Sequence, residues 1–142
     1  SRSLGQVKDG MDISLLCVNK KSKTITWSGA NNPLWCIEPT AVINELKPNK
    51  QPVGRSDDPQ PFQTHTLPAG SGKIFYLITD GYADQFGGED GKKMKSKNFK
   101  NLLSSISTLF FDEQAKIVQQ NFNTWKGTYE QVDDVCVIGI KI

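Results

Sequence analysis

Apolar and polar positions alternate through the first half of the chain and fall into helical spacing only in the second. Residues 11–18 alternate, with Ile13, Leu15 and Cys17 on one face. Lys20-Lys21-Ser22-Lys23 makes a polar turn, and Thr24-Ile25-Thr26-Trp27 alternates again, which predicts a β-hairpin. Gly29-Ala30-Asn31-Asn32-Pro33 reads as a turn with a proline stop. Leu34–Ile37 is a predicted third strand and Val42–Leu46 a short fourth. Residues 47–61, rich in Pro, Gly, Asn and Asp, predict the longest loop. Phe62–Leu67 alternates weakly, and Pro68-Ala69-Gly70-Ser71-Gly72 turns the chain into an apolar run over 73–79.

Beyond that run, Phe99, Leu102, Leu103, Ile106, Leu109 and Phe110 follow the three-four spacing of an amphipathic helix, with Ser96 as its N-cap. Asp112 suits the cap of a second helix with Ala115, Val118, Phe122 and Trp125 on one face, and Gly127 suits its C-terminal stop. Gln131–Ile142 closes the chain as a predicted strand, with Cys136, Ile138, Ile140 and Ile142 on one side. A meander, a further strand, two helices and a last strand predict an α+β fold. Its sheets are mainly antiparallel with flanking helices, rather than doubly wound.

Composition narrows the function classes. The chain has 142 residues, enough for one domain with one core. A net charge of +2 gives no argument for nucleic acid. The run Lys92, Lys93, Lys95, Lys97 and Lys100 lacks interleaved aromatics and reads as a solvated loop and helix start, so no nucleic-acid partner is expected. No apolar run reaches the length of a membrane span, and Ser1-Arg2-Ser3-Leu4-Gly5 has no apolar core of a signal peptide. Cys17, Cys36 and Cys136 sit among apolar residues and read as buried thiols of a reducing compartment. With no Cys-x-x-Cys pair and His65 as the single histidine, a zinc site is not expected. Trp27, Trp35 and Trp125 read as core. Gly87-Gly88-Glu89-Asp90-Gly91 reads either as a flap over a substrate or as a flexible connection.

The chemistry lies in two acidic signatures. Ile78-Thr79-Asp80-Gly81 ends the apolar run, and Val132-Asp133-Asp134-Val135 opens the last one. A carboxylate at the end of a buried strand is costly to desolvate unless it is paired or coordinates a metal. Two such places in one small domain suggest a centre for a hard divalent cation such as Mg²⁺ or Mn²⁺. Taken singly, Asp80-Gly81 reads equally as a turn and Asp133-Asp134 as a charged strand entrance. Strand alternation would send Asp133 and Asp134 to opposite faces, so only one would join a given site.

Taken together, four segments resemble, in family order, the C-terminal part of the metal-dependent serine/threonine protein phosphatases (the PPM family), in the bacterial branch typified by stage II sporulation protein E. Ser28-Gly29-Ala30-Asn31-Asn32-Pro33-Leu34 resembles that branch's Ala-Gly-His-x-Pro turn, and Pro52-Val53-Gly54 its Pro-Leu-Gly segment. Leu77-Ile78-Thr79-Asp80-Gly81-Tyr82-Ala83-Asp84 resembles its Thr-Asp-Gly strand end, and Gln131-Val132-Asp133-Asp134-Val135 its final Asp-Asp strand. The resemblance implies a partial αββα sandwich. It also implies two Mn²⁺ or Mg²⁺ ions, with a shared water as the nucleophile toward phosphoserine or phosphothreonine. By motif position Asp80 would be a ligand of one metal, Asp133 a second ligand and Gly81 part of the site backbone, while Asp134 would face away. Asn31, neutral where some members carry an additional Asp or a His, receives no ligand role.

The family's Asp-x-x-Gly-His-Gly-type segment, which supplies the ligand shared by both metals, does not occur in the 142 residues. Asp9-Gly10-Met11-Asp12 leads straight into a strand and reads as a decoy. Residues 1–142 are therefore expected to be a single domain, the C-terminal part of a phosphatase domain lacking its N-terminal motifs and inactive as it stands. The alternative is a non-catalytic interaction or regulatory module on the same fold. The resemblance implies bacterial signalling with a phosphoprotein partner such as an anti-sigma-factor antagonist, an upstream sensor domain, and a cytoplasmic location, including the cytoplasmic part of a membrane-attached sensor. Strands missing from the core would leave edges that favour self-association.

Overall fold

The structure is a computed structural model that describes residues 9–39, 42–68, 70 and 72–142. The segment Ser1–Gly5, and positions 69 and 71 of the turn expected over 68–72, lie outside the described residues. The chain gathers into two compact units, one from residues 1–34 and 46–69, the other from 35–45 and 70–142.

In the first unit, β1 (Gly10–Met11) precedes the expected hairpin of β2 (Ile13–Asn19) and β3 (Thr24–Ala30). The hairpin is antiparallel, with Leu16 opposite Trp27 and Ser14 opposite Gly29. Its inward face is the one opposite to that of Ile13, Leu15 and Cys17. Trp27 is 1% exposed and its indole donates to the Ser14 hydroxyl at 2.7 Å, so Ser14 and Leu16 share its side. Leu15 and Cys17 point outward and are exposed. Both faces of β2 carry apolar residues, and the largest side chain of the partner strand decides which is buried. The loop over 47–61 contains β6 (Val53–Gly54), which pairs with β1. The weak run over 62–67 contributes β7 (His65–Leu67), paired with β3.

The second unit contains a four-stranded sheet. Its strands are β4 (Leu34–Ile37), β5 (Ile43–Leu46), β8 (Ile74–Ile78) and β11 (Val137–Lys141), in the order β11-β8-β4-β5. Strand β8 is interior and apolar on both faces, which is why Ile74, Phe75, Tyr76 and Ile78 are all buried. Between β8 and β11 come α1 (Gly81–Asp84), the hairpin of β9 (Phe86–Gly87) and β10 (Lys92–Lys93), α2 (Ser96–Ile106) and α3 (Phe111–Lys126). The pairs β1–β6, β9–β10, β8–β11, β2–β3 and β3–β7 are antiparallel. The class is the expected one, antiparallel sheets with flanking helices.

Residues of α2 and α3 pack against one face of this sheet. Phe99, Leu103 and Ile106 line the buried side of α2 at helical spacing. The Phe99 ring stacks on Tyr82 at 3.9 Å between centroids and meets Trp35 edge-on at 5.3 Å. Ser96 is the first helical residue rather than the cap. The cap position is Lys95, held at φ 71° and tied by its amide to the Ala83 carbonyl at 2.8 Å. Likewise α3 begins at Phe111, so Asp112 lies inside its first turn, where an acidic side chain suits the helix dipole. Gly127, at φ 52°, ends α3 as expected.

Further readings are corrected. Ala115 is exposed, whereas Gln114 is buried on α3. Burial pushes the Tyr76 phenol up to about 12, so its hydroxyl stays protonated and donates to the Gln114 amide oxygen. On β11 and the two residues before it, the helix-facing positions are Val135, Val137 and Gly139, while Ile138 and Cys136 are exposed. Gly139 fixes that parity, because a Cβ there would come within 2.9 Å of the Phe111 ring. Of the three cysteines only Cys36 is buried. The Gly87–Gly91 segment is a hairpin turn rather than a loose connection. The Gly88 amide donates to the Trp125 carbonyl at 2.9 Å, and a Cβ on Gly87 would fall 1.9 Å from the same oxygen. Among the described residues no helix is long and apolar enough to cross a membrane.

The aromatic stack gives a stability test. Phe99 is fully buried, so Phe99→Ala is expected to lose about 3–5 kcal/mol in urea unfolding. Phe110, expected from spacing to share that face, is 82% exposed, and Phe110→Ala is expected to stay within about 0.5 kcal/mol of the parent. Equal losses would contradict the packing described.

Candidate functional site

The register of β8 on β11 brings the two acidic signatures together. Ile78 lies opposite Val137, and the pairing continues one step further, where the Thr79 amide donates to the Cys136 carbonyl at 3.1 Å. The Thr79 hydroxyl accepts from the Cys136 amide at 2.9 Å and donates to the Asp134 carbonyl at 3.1 Å. One side chain thus occupies both the donor and the acceptor that the 134–136 backbone offers.

Asp80 follows at the N-cap of α1 with an exposed carboxyl that makes no capping bond. Gly81 is buried where a Cβ would lie 2.2 Å from the Asp134 carbonyl oxygen, and only glycine allows that approach.

Asp133 sits in a loop rather than in the expected strand, since β11 starts at Val137. Its Oδ1 accepts from the Asp134 amide at 2.7 Å, and its carbonyl accepts from the Gln131 side chain at 3.0 Å. Strand alternation does not govern the 133–134 pair. Asp134 acts through its backbone, and its side chain is exposed.

The electrostatics show which carboxyls share space. Asp80 is held above the usual carboxylate range, first by partial desolvation at the strand end. A hydrogen bond to Asp133 and the repulsion from that group add to this, with a further contribution from Asp84. Asp84, on α1 four residues after Asp80, also lies 3.7 Å from the Lys93 ammonium. Spacing alone could have found Asp84, because positions i and i+4 of a helical turn are neighbours. Thr79 belonged to the motif but carried no role from sequence, since its partners lie 55 and 57 residues away.

Elsewhere, Asp12 accepts from the Asn31 amide at 2.8 Å within the first unit, which gives both a local partner. His65 packs on Trp27 at 5.3 Å between ring centroids. Among the described residues no group of three acidic, histidine or cysteine side chains is arranged to hold a metal by itself. The Asp80–Asp133 pair nevertheless fits the chemistry of a hard cation. Its donors are carboxylate oxygens, drawn together against their own repulsion, beside a glycine that leaves no room for a Cβ.

The chain is similar to known proteins in sequence and in fold. The sequence model of the stage II sporulation protein E (SpoIIE) family matches residues 4–142. The SiaA-PP2C domain of Pseudomonas aeruginosa superposes with a TM-score of 0.82 at 27% identity, over 92% of this chain and 51% of that one. The phosphatase domain of the cell fate determinant SpoIIE from Bacillus subtilis gives 0.65 at 11% identity, over 92% and 58%. RsbX in complex with magnesium gives 0.60 at 18% identity, over 92% and 55%. The chain therefore spans about half the length of the solved domains it matches. No curated protein matches it in sequence.

The raised Asp80 carboxyl has a consequence for stability. The folded chain holds that proton more readily than the unfolded chain. Its contribution is therefore present below the ordinary carboxylate range and is lost as pH rises through the elevated value. In metal-free buffer at neutral pH, Asp80→Asn is expected to raise the free energy of unfolding slightly, by about a few tenths of a kcal/mol, the scale of screened surface charge pairs. The gain should shrink in acid. A loss of stability at neutral pH would show that Asp80 is not repelled by its neighbours.

Proposed function

The chain belongs to the stage II sporulation protein E family, and we propose that it is the metal-binding C-terminal part of a phosphatase domain that dephosphorylates phosphoserine or phosphothreonine on a signalling protein. The single observation that carries the proposal is the approach of Asp80 and Asp133 at the paired ends of β8 and β11. Asp80 and Asp133 would hold Mn²⁺ or Mg²⁺, with the Gly81 backbone beside them. When bound, such ions supply neutralisation of phosphate charge and a water of lowered pKa. The chain's own part is to bring two oxygen donors together where the end of β8 meets the loop leading into β11, and to leave them open to solvent, where a phosphorylated side chain can arrive. The magnesium complex of RsbX supports the choice of a hard cation. A protein partner carrying the phosphate, such as an anti-sigma-factor antagonist, and an upstream sensor domain follow from the family resemblance.

A second reading, a non-catalytic interaction or regulatory module on the same fold, draws on one observation. Among the described residues no three ligating side chains gather at one place. Calorimetric titration separates the two. The proposal expects weak Mn²⁺ binding at a single site, abolished by Asp80→Asn and by Asp133→Ala. Binding that neither substitution changes, or none at all, would favour the module. Because the 142 residues lack the Asp-x-x-Gly-His-Gly-type segment, Mn²⁺-dependent turnover of a phosphopeptide by this chain is expected to be slight. Robust turnover abolished by Asp80→Asn would show that the segment is dispensable.

Self-association belongs to the same proposal. Strand β11 is an end strand of its sheet among the described residues, and it exposes Ile138. Light scattering is expected to show mass rising with concentration, and a monomer at every concentration would contradict it.

A further inference from the structure

Asp133 has no strand of its own to hold it. The residues from Gln131 to Asp134 are all exposed, and the β11 ladder begins only at Val137. Side chains flanking Asp80 hold the backbone on both sides of Asp133. After it, the Thr79 hydroxyl engages the Asp134 carbonyl and the Cys136 amide. Before it, the Gln85 side-chain amide donates to the Glu130 carbonyl at 2.8 Å.

Gln85 is a rigid point from which to reach. It is fully buried at the end of α1, and its carbonyl accepts from the Trp125 indole at 2.9 Å and from the Met94 amide at 3.0 Å. Its Nε2 also donates to the Phe86 carbonyl at 2.9 Å. Both acceptors are carbonyls, so the position needs two donors, which a glutamine amide has and a glutamate lacks. The Gln85 Oε1 is buried and has no hydrogen-bond partner among the described residues. A buried acceptor without a donor costs stability. The residue is therefore better explained by what its two donors hold in place than by the stability it adds.

We infer that Gln85 and Thr79 are positioning residues that clasp the 130–136 segment from both sides of Asp133 and thereby set its approach to Asp80. The inference rests on the proposal that these two aspartates hold a divalent cation. It assigns the work of placing them to two neutral side chains that touch neither ion nor substrate.

The test uses the 142-residue chain with Gln85→Met, Thr79→Val, Thr79→Ser and Gln114→Met. Gln85→Met keeps length and removes the donors. Thr79→Val keeps shape and removes the hydroxyl, which Thr79→Ser restores. Gln114→Met removes another buried amide of the same unit, one bonded to Tyr76 and to the Ser107 and Leu109 carbonyls. Two readouts are taken, the Kd for Mn²⁺ by calorimetry and, without metal, the nuclear Overhauser contact between the Gly81 α-protons and the Val135 methyls. Gln85→Met and Thr79→Val are expected to weaken Mn²⁺ binding about 10-fold or more, the range for partners that orient metal ligands, and to lose the contact. Thr79→Ser and Gln114→Met are expected to keep both, even where Gln114→Met lowers Tm. Should Gln85→Met not fold, the Thr79→Val and Thr79→Ser pair decides. Retention of the contact and of parental affinity in Thr79→Val and Gln85→Met overturns the clasp. If instead Asp80→Asn and Asp133→Ala leave Mn²⁺ binding unchanged, the metal reading fails, and the contact alone still decides whether the clasp exists.

Discussion

Asp80 and Asp133 carry like charge and lie close enough for one to raise the other's proton affinity, so something must hold them against their repulsion. The antiparallel ladder of β8 and β11 does much of this, because its register from Ile74–Lys141 to Ile78–Val137 fixes where each strand end falls. The Thr79 amide and hydroxyl extend the pairing past the last ladder residue. Below them, Phe75 and Tyr76 are buried in the interior strand, so the ends cannot drift without disturbing the core. The close pass of Gly81 over the Asp134 carbonyl is the geometric result.

The rest of the second unit keeps α1 where that geometry needs it. Tyr82, the second residue of α1, stacks on Phe99, donates to the Val118 carbonyl at 2.8 Å and accepts from Asn121 at 2.9 Å. Three elements, α1, α2 and α3, are thus joined through one ring that begins two residues after Asp80. Trp125 and Gln85 add a second junction from the end of α3 to the end of α1. A functional carboxylate set on a short helix becomes precise only when packing fixes that helix, and here aromatic stacking and buried hydrogen bonds do so together.

Much of this was legible in the sequence. The order of strands and helices followed from periodicity, and the two acidic signatures with the turn and Pro-Val-Gly segments pointed to the family that the comparisons identify. Which face of β2 and of β11 is covered was illegible for one physical reason. Both strands carry apolar residues on both sides, so alternation could not choose. Trp27 chose for β2, and the Phe111 ring against Gly139 chose for β11. The polar residues that tie distant segments together, two beside the aspartates and one in the core, were illegible for another reason. Thr79, Gln85 and Gln114 act through partners 55, 45 and 38 residues away, and no local pattern records such a partner.

The most direct test of the central claim is a titration with Mn²⁺ followed by NMR, since the ion broadens the amide signals nearest to it. The account expects the signals of Asp80–Asp84 and of Gln131–Cys136 to fade first and together, at Mn²⁺ levels that leave the acidic positions Asp9, Asp12 and Asp58 sharp. Broadening centred on those other aspartates, or loss of only one of the two segments, would contradict a shared site formed by Asp80 and Asp133.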